Sequence, residues 1–177
     1  VGDYNILRTT NAGEEWVKVK EGSDFLYAVA YVKPKVAIVV GEGGTILRTT
    51  DDGITWNLQE STTIWALWDV CFPNSRIGYA AGRNNTLLIT INGGITWSNV
   101  YTGVTEGFRR VSFVDSAFGY LLGDDRKTLW TTDGGMTWDW RYGFYADVDF
   151  YNRSNGTLVS SNWIWQTTDG GESWNSH

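Results

Sequence analysis

The chain has 177 residues, 42% of them hydrophobic and 15% aromatic, with 11 Trp and 21 Gly against two Pro, which is enough for one domain with a substantial core. A net charge of −6 lacks the basic footprint of a non-specific nucleic-acid binder, and no apolar run approaches the ~18 residues of a membrane-spanning helix. Cys71 is the single cysteine, which excludes an internal disulfide, and it reads as a small core residue.

Abundant aromatics and glycines with so few prolines predict short strands joined by tight turns. In chain order, residues 1–20 predict two strands, half of a repeat. Four full repeats follow at 26–60, 65–101, 108–142 and 145–177, each predicted as four strands. Strand one recurs as Tyr27-Ala28-Val29-Ala30-Tyr31, Trp68-Asp69-Val70-Cys71-Phe72, Arg109-Arg110-Val111-Ser112-Phe113 and Ala146-Asp147-Val148-Asp149-Phe150. The Val and the aromatic lie two apart and share one face, predicted to pack on the neighbouring sheet. The opposite face is small or charged: Ala28, Asp69, Arg110 and Asp147. Strand two is predicted over 119–122 in the third full repeat and strand three over 128–132. Strand four starts near Thr137. No segment has helical periodicity over ten residues. Val1 is not an initiator Met, so the chain is expected to be processed, trimmed or part of a longer one.

One octapeptide occurs five times, at 9–16, 49–56, 90–97, 131–138 and 167–174. Its pattern is Thr, any, Asp or Asn, any, Gly, any, Thr or Ser or Glu, Trp. The closing residues Trp16, Trp56, Trp97, Trp138 and Trp174 are 40, 41, 41 and 36 residues apart. A period near ~40 marks a propeller or solenoid. Asp or Asn bonds backbone amides two or three residues on, and Gly takes the left-handed conformation, so the octapeptide predicts a β-hairpin closed by a core Trp. Five similar turns argue for shared architecture rather than five equal binding sites.

The octapeptide resembles the Asp-box, or BNR repeat, of β-propeller proteins. Asp51-Gly53-Trp56, Asp133-Gly135-Trp138 and Asp169-Gly171-Trp174 match it fully; Asn92-Gly94-Trp97 and Asn11-Gly13-Trp16 carry Asn for Asp, and the first copy also has Glu15 where Thr is usual. Gly41-Glu42-Gly43-Gly44-Thr45-Ile46-Leu47-Arg48-Thr49-Thr50 is similar to the repeat of the photosystem II stability/assembly factor group, and Gly78-Tyr79-Ala80-Ala81-Gly82 and Gly119-Tyr120-Leu121-Leu122-Gly123 fit the same repeat. The resemblance implies an all-β fold, a β-propeller of four-stranded antiparallel blades with the octapeptide hairpin between strands three and four. About four and a half blades are present, expected to be part of a larger ring completed by further residues or by another chain.

An enzyme would need chemistry that the sequence scarcely offers. The one histidine, His177, is terminal, which argues against Ser-His-Asp, Cys-His and His-based metal sites; no cofactor or metal is expected. Glycoside hydrolysis needs two carboxylates at a set separation, and Asp69, Asp147 and Asp149 could face the propeller axis, so a carbohydrate-binding or sialidase-like reading is kept as the alternative. Against it, the Arg-Ile-Pro motif of sialidases is absent. The acidic pairs Asp51-Asp52 and Asp124-Asp125 read as solvated turns. The favoured expectation is a non-catalytic scaffold that binds a protein partner. Resemblance to the assembly factors implies a membrane-protein subunit as partner, an extracytoplasmic location, and a basic patch at the contact, for which Arg109 and Arg110 match best. Asp69, Asp147, Trp140 and Trp163 complete the candidate partner-binding set. Sequons stand at Asn84, Asn152 and Asn155, which matter only in a secreted eukaryotic protein.

Overall fold

The computed structural model describes residues 1–124, 126–143, 146–160 and 162–176. Tyr145, where the last repeat was expected to begin, lies outside the described residues, as do Asp125 and His177. The chain forms one two-stranded and four four-stranded antiparallel sheets. The two-stranded sheet pairs β1 (Asn5–Arg8) with β2 (Val17–Glu21). The first full blade is β3 (Leu26–Lys33), β4 (Val36–Gly41), β5 (Ile46–Thr49) and β6 (Asn57–Gln59). The second is β7 (Leu67–Cys71), β8 (Gly78–Gly82), β9 (Thr86–Thr90) and β10 (Ser98–Asn99). The third is β11 (Phe108–Phe113), β12 (Gly119–Gly123), β13 (Lys127–Thr131) and β14 (Asp139–Tyr142), and the fourth is β15 (Asp147–Phe150), β16 (Gly156–Val159), β17 (Ile164–Thr167) and β18 (Asn175–Ser176). A 3-10 turn, Glu42–Gly44, joins β4 to β5. The fold is all-β, an open arc of propeller-type blades.

The blades stack in chain order because neighbouring blades meet through apolar faces. Ile6 and Val19 of the half-blade meet Leu26, Val39, Leu47 and Trp56 of the first full blade. That blade's other face, with Ile38, Val40 and Ile46, packs on Leu67, Val70, Leu88 and Trp97. Tyr79, Ala81 and Leu87 then meet Val111, Phe113 and Leu129, and Tyr120 and Leu122 meet Val148, Phe150 and Leu158. Two of these seams contain aromatic stacks. Tyr79 lies flat on Phe113 with centroids 3.6 Å apart, and Tyr120 on Phe150 at 4.7 Å. Each such pair is worth about 0.5–1.5 kcal/mol beyond its buried area.

A close approach within the second, third and fourth full blades explains the glycine that opens strand two. Phe72, Phe113 and Phe150 lie across Gly78, Gly119 and Gly156, where any Cβ would enter the ring. The same aromatics stand edge-on to their own blade's octapeptide Trp, at 6.0 Å for Phe72–Trp97, 6.2 Å for Phe113–Trp138 and 5.8 Å for Phe150–Trp174.

The first full blade departs from the expected packing of strand one. Val70, Val111 and Val148 are buried, but Val29 is 49% and Tyr31 73% exposed. Two physical causes converge. Among the described residues the half-blade in front of it comprises β1 and β2, which leaves much of β3 uncovered. Tyr31 also pairs with Ala37 rather than a glycine, so its ring has no bare backbone to lie on. Trp16 likewise departs from the core position expected of it, being 58% exposed.

On the fourth blade's outer face Asp149, Thr157 and Gln166 stand at the register positions of Ser112, Tyr120 and Trp130 in the third blade.

Candidate functional site

The two ends of the blades do different work. One end carries the octapeptide turns. In the second copy, the Thr49 hydroxyl donates to Asp51 Oδ1 at 2.8 Å and accepts from Gly53 N at 2.9 Å. Asp51 accepts from Thr55 N at 2.9 Å and from the Thr55 hydroxyl at 2.6 Å, and the Trp56 indole N–H donates to Gly53 O at 3.1 Å. Thr131-Asp133-Thr137-Trp138 and Thr167-Asp169-Ser173-Trp174 repeat the network. Asn92 and Asn11 keep the amide contacts to Thr96 and Glu15. Trp97 is the most buried of the five at 4%, and its indole N–H has no partner among the described residues.

The second to fifth turns also anchor the blade before each of them. Arg8 donates to the carbonyl and carboxylate of Asp52 at 2.5 and 2.7 Å. Arg48 donates to Gly93 O at 3.0 Å, Tyr79 to Gly134 O at 3.1 Å and Tyr120 to Gly170 O at 2.8 Å. The octapeptide end is thereby occupied by serial interlocks between blades.

Hydroxyl and amide donors hold the turn carboxylates far below their usual range. The Thr55 hydroxyl is the main cause at Asp51, Thr137 at Asp133 and Ser173 at Asp169, and each pKa falls from 3.8 to about 2. The folded state then binds these protons more weakly than the unfolded chain. Their stabilisation is complete above about pH 4 and is lost as the pH falls toward about 2. Urea midpoints measured across that window are expected to fall. An Asp133→Asn variant is expected to fold, because Asn fills this position in two copies, and to lose less on acidification.

The other end carries the turns between strands two and three and the linkers between blades. Near the axis, strand one supplies the charged set. Asp69 accepts from Val70 N and, across the seam, from Val111 N, each at 2.9 Å, and burial raises its pKa above the ordinary value. Arg110 pairs with Asp147 at 3.4 Å, and Asp147 also accepts from Val148 N. Asp149 accepts from Phe150 N. Arg109 pairs with Asp124. Arg109 and Arg110 line a cleft of about 590 Å³ together with Tyr27, Trp68, Asp124 and Arg126, with Gly123 and Ala146; Asp69, Asp147 and Asp149 do not line it. It brings together Arg109 and Arg110 of the sequence-derived set.

Trp140 and Trp163 are 48% and 55% exposed and do not line the cleft. Trp140 lies on an outer strand edge-on to Tyr142, with the Lys127 ammonium 5.4 Å from its ring centre. Trp130 and Trp165 pack in the third seam. Tyr27, Trp68, Asp124 and Arg126 had not been singled out as site residues; the register of strand one places the first two beside Ala28 and Asp69, which is the signal that could have found them. Burial pushes the Cys71 thiol up to about 12, so it is a poor nucleophile. No cluster of three or more His, Cys, Asp or Glu among the described residues could hold a metal.

No family model matches the chain, and no curated protein does. Solved structures do match in fold. YCF48 bound to D1 peptide superposes with a TM-score of 0.70 at 18% identity, covering 86% of this chain and 54% of that one. YCF48 from Cyanidioschyzon merolae gives 0.69 at 18% identity over 98% and 66%. The GH74 xyloglucanase from Xanthomonas campestris gives 0.74 at 14% identity over 97% and 34%. The chain thus spans about half to two thirds of the YCF48 chains and about a third of the xyloglucanase.

Proposed function

We propose that this chain is a non-catalytic interaction scaffold that holds a protein partner at the axial cleft between Tyr27, Trp68, Arg109 and Arg110. The observation that carries the reading is the combination of aromatic faces and guanidinium groups in one open recess, the side chains most enriched among interface anchors. The cleft lies at the end of the blades left free by the interlocked turns. Tyr27, Trp68, Arg109 and Arg110 stand on three consecutive strand-one segments held in fixed register, so little order has to be created there on binding.

Similarity in fold to YCF48 bound to a D1 peptide is consistent with a peptide or loop as the bound element. The same resemblance underlies the choice of a membrane-protein subunit as partner and of an extracytoplasmic location. Among the described residues no helix is long and apolar enough to cross a membrane. Similarity to GH74 enzymes supports the carbohydrate-cleaving alternative less well. Asp69 spends both carboxylate oxygens on backbone amides, and Asp147 is tied to Arg110 and Val148 N. Neither is presented as a free acid or base.

The test is capture from native membranes with tagged protein. Wild type is expected to retain a discrete protein partner, and Arg109→Glu to weaken it at least about tenfold, equivalent to about 1.4 kcal/mol. Arg109 is exposed, so the substitution leaves the core intact. Capture unaffected by both Arg109→Glu and Trp68→Ala would move the interface elsewhere. Turnover of aryl glycosides, lost in Asp147→Asn, would restore the enzyme reading.

A further inference from the structure

A second recess opens at the same end of the blades, farther from the axis. It has a volume of about 530 Å³ and is lined by residues 61–65 of the linker between β6 and β7, residues 84–86 of the β8–β9 turn, and Asn99 of β10. None of its nine lining residues is charged. The one charged residue of the β8–β9 turn, Arg83, is not among the residues that line the recess.

The polar groups here are uncommitted. The side-chain amides of Asn84 and Asn99, the Thr62 hydroxyl and the Trp65 indole N–H make no hydrogen bond within the described residues. Asn85 accepts one bond, from the Thr102 hydroxyl at 2.8 Å, and its amide N–H groups make none. Beside these stand two apolar surfaces, Trp65 at 40% and Ile64 at 80% exposure.

The frame is rigid. Asn84 and Asn85 both hold φ +57° in the three-residue turn between Gly82 and Thr86, a conformation that Asn tolerates and that fits a tight hairpin. On the linker side, Thr63 accepts from the Trp65 amide at 3.0 Å and its carbonyl accepts from the Ser61 hydroxyl at 2.9 Å. Gly44 is packed so closely against that carbonyl that no Cβ would fit.

We infer that this recess is a binding site for a neutral saccharide. A pyranose presents hydroxyls that each donate and accept, which side-chain amides match with a donor and an acceptor on one planar group. It also presents an apolar C–H face suited to stacking on Trp65. An anionic ligand would require cationic groups, and none lines the recess. The inference does not rest on the protein-partner reading, because no residue is shared with the axial cleft.

The test is calorimetric and fluorescence titration of the whole chain with cellohexaose, mannohexaose and hexagalacturonate. At least one neutral hexamer is expected to bind and to perturb tryptophan emission, with hexagalacturonate weaker. Asn84→Gly, which keeps the left-handed turn, and Trp65→Ala are each expected to weaken binding at least about fivefold. The inference is overturned by three results: no binding of either neutral hexamer, preference for hexagalacturonate, or binding indifferent to both variants.

Discussion

Trp97→Ala is expected to lower stability by about 3–5 kcal/mol, and Trp16→Ala by no more than about 0.5 kcal/mol, the range of an ordinary surface substitution. The two residues close the same octapeptide and differ in what surrounds them. Trp97 is 4% exposed and packs with Ile38, Val70 and Leu88 in the seam between the first and second full blades. Its ring meets Phe72 edge-on, so truncation opens a cavity across a blade interface and removes an aromatic pair. Trp16 is mostly in solvent and closes a turn whose hydrogen bonds come from Thr9 and Asn11. Chemical denaturation of the two variants checks the contrast. Similar losses at both would mean that the indole acts through the turn itself rather than through the seam.

Gly171→Ala is expected to cost about 2–5 kcal/mol, the sum of a strained left-handed residue and an overfilled seam. Gly171 holds φ +85°, and a Cβ there would meet the Tyr120 hydroxyl and the Trp174 ring. Tyr120 cannot simply withdraw, because it donates to Gly170 O and is stacked on Phe150. Gly43→Ala is the control. Gly43 also has a positive φ, +64°, but nothing lies within 4 Å of its added Cβ. Only the backbone penalty of about 1–2 kcal/mol applies there. Thermal melts of both variants separate the local strain from the interlock between blades.

The repeated architecture was legible because the octapeptide fixes chemistry atom by atom. Its Thr caps the turn amides, its Asp or Asn gathers the following amides, its Gly takes the positive φ, and its Trp closes the loop. Strand one was legible in the Val and aromatic pair for the same reason, wherever a complete blade stands in front of it. It failed at Val29 and Tyr31 because their exposure depends on a neighbouring sheet that the local pattern cannot report, and on Ala37, a single methyl group in place of a glycine. The Trp16 departure has the same origin, since an aromatic is a core residue only where another blade covers it.

The candidate site was legible in part. Alternation along strand one placed Asp69, Arg110 and Asp147 on one face, and the pairing of Arg110 with Asp147 follows from that register. The cleft and the neutral recess draw on segments with no shared pattern, the 60–66 linker and the turns at 83–86 and 124–126. Their composition differs from blade to blade, so no period marks them. Assigning them a place needs the blades stacked in three dimensions.

The central claim is that the end carrying the interlocked turns holds the arc together and the opposite end binds. Hydrogen–deuterium exchange on the captured complex tests it most directly. Protection relative to the free chain is expected at β7, at the start of β11 and around Asp124, with no change at the turns containing Asp51, Asp133 and Asp169. Protection confined to those turns, with the strand-one starts unchanged, would contradict it.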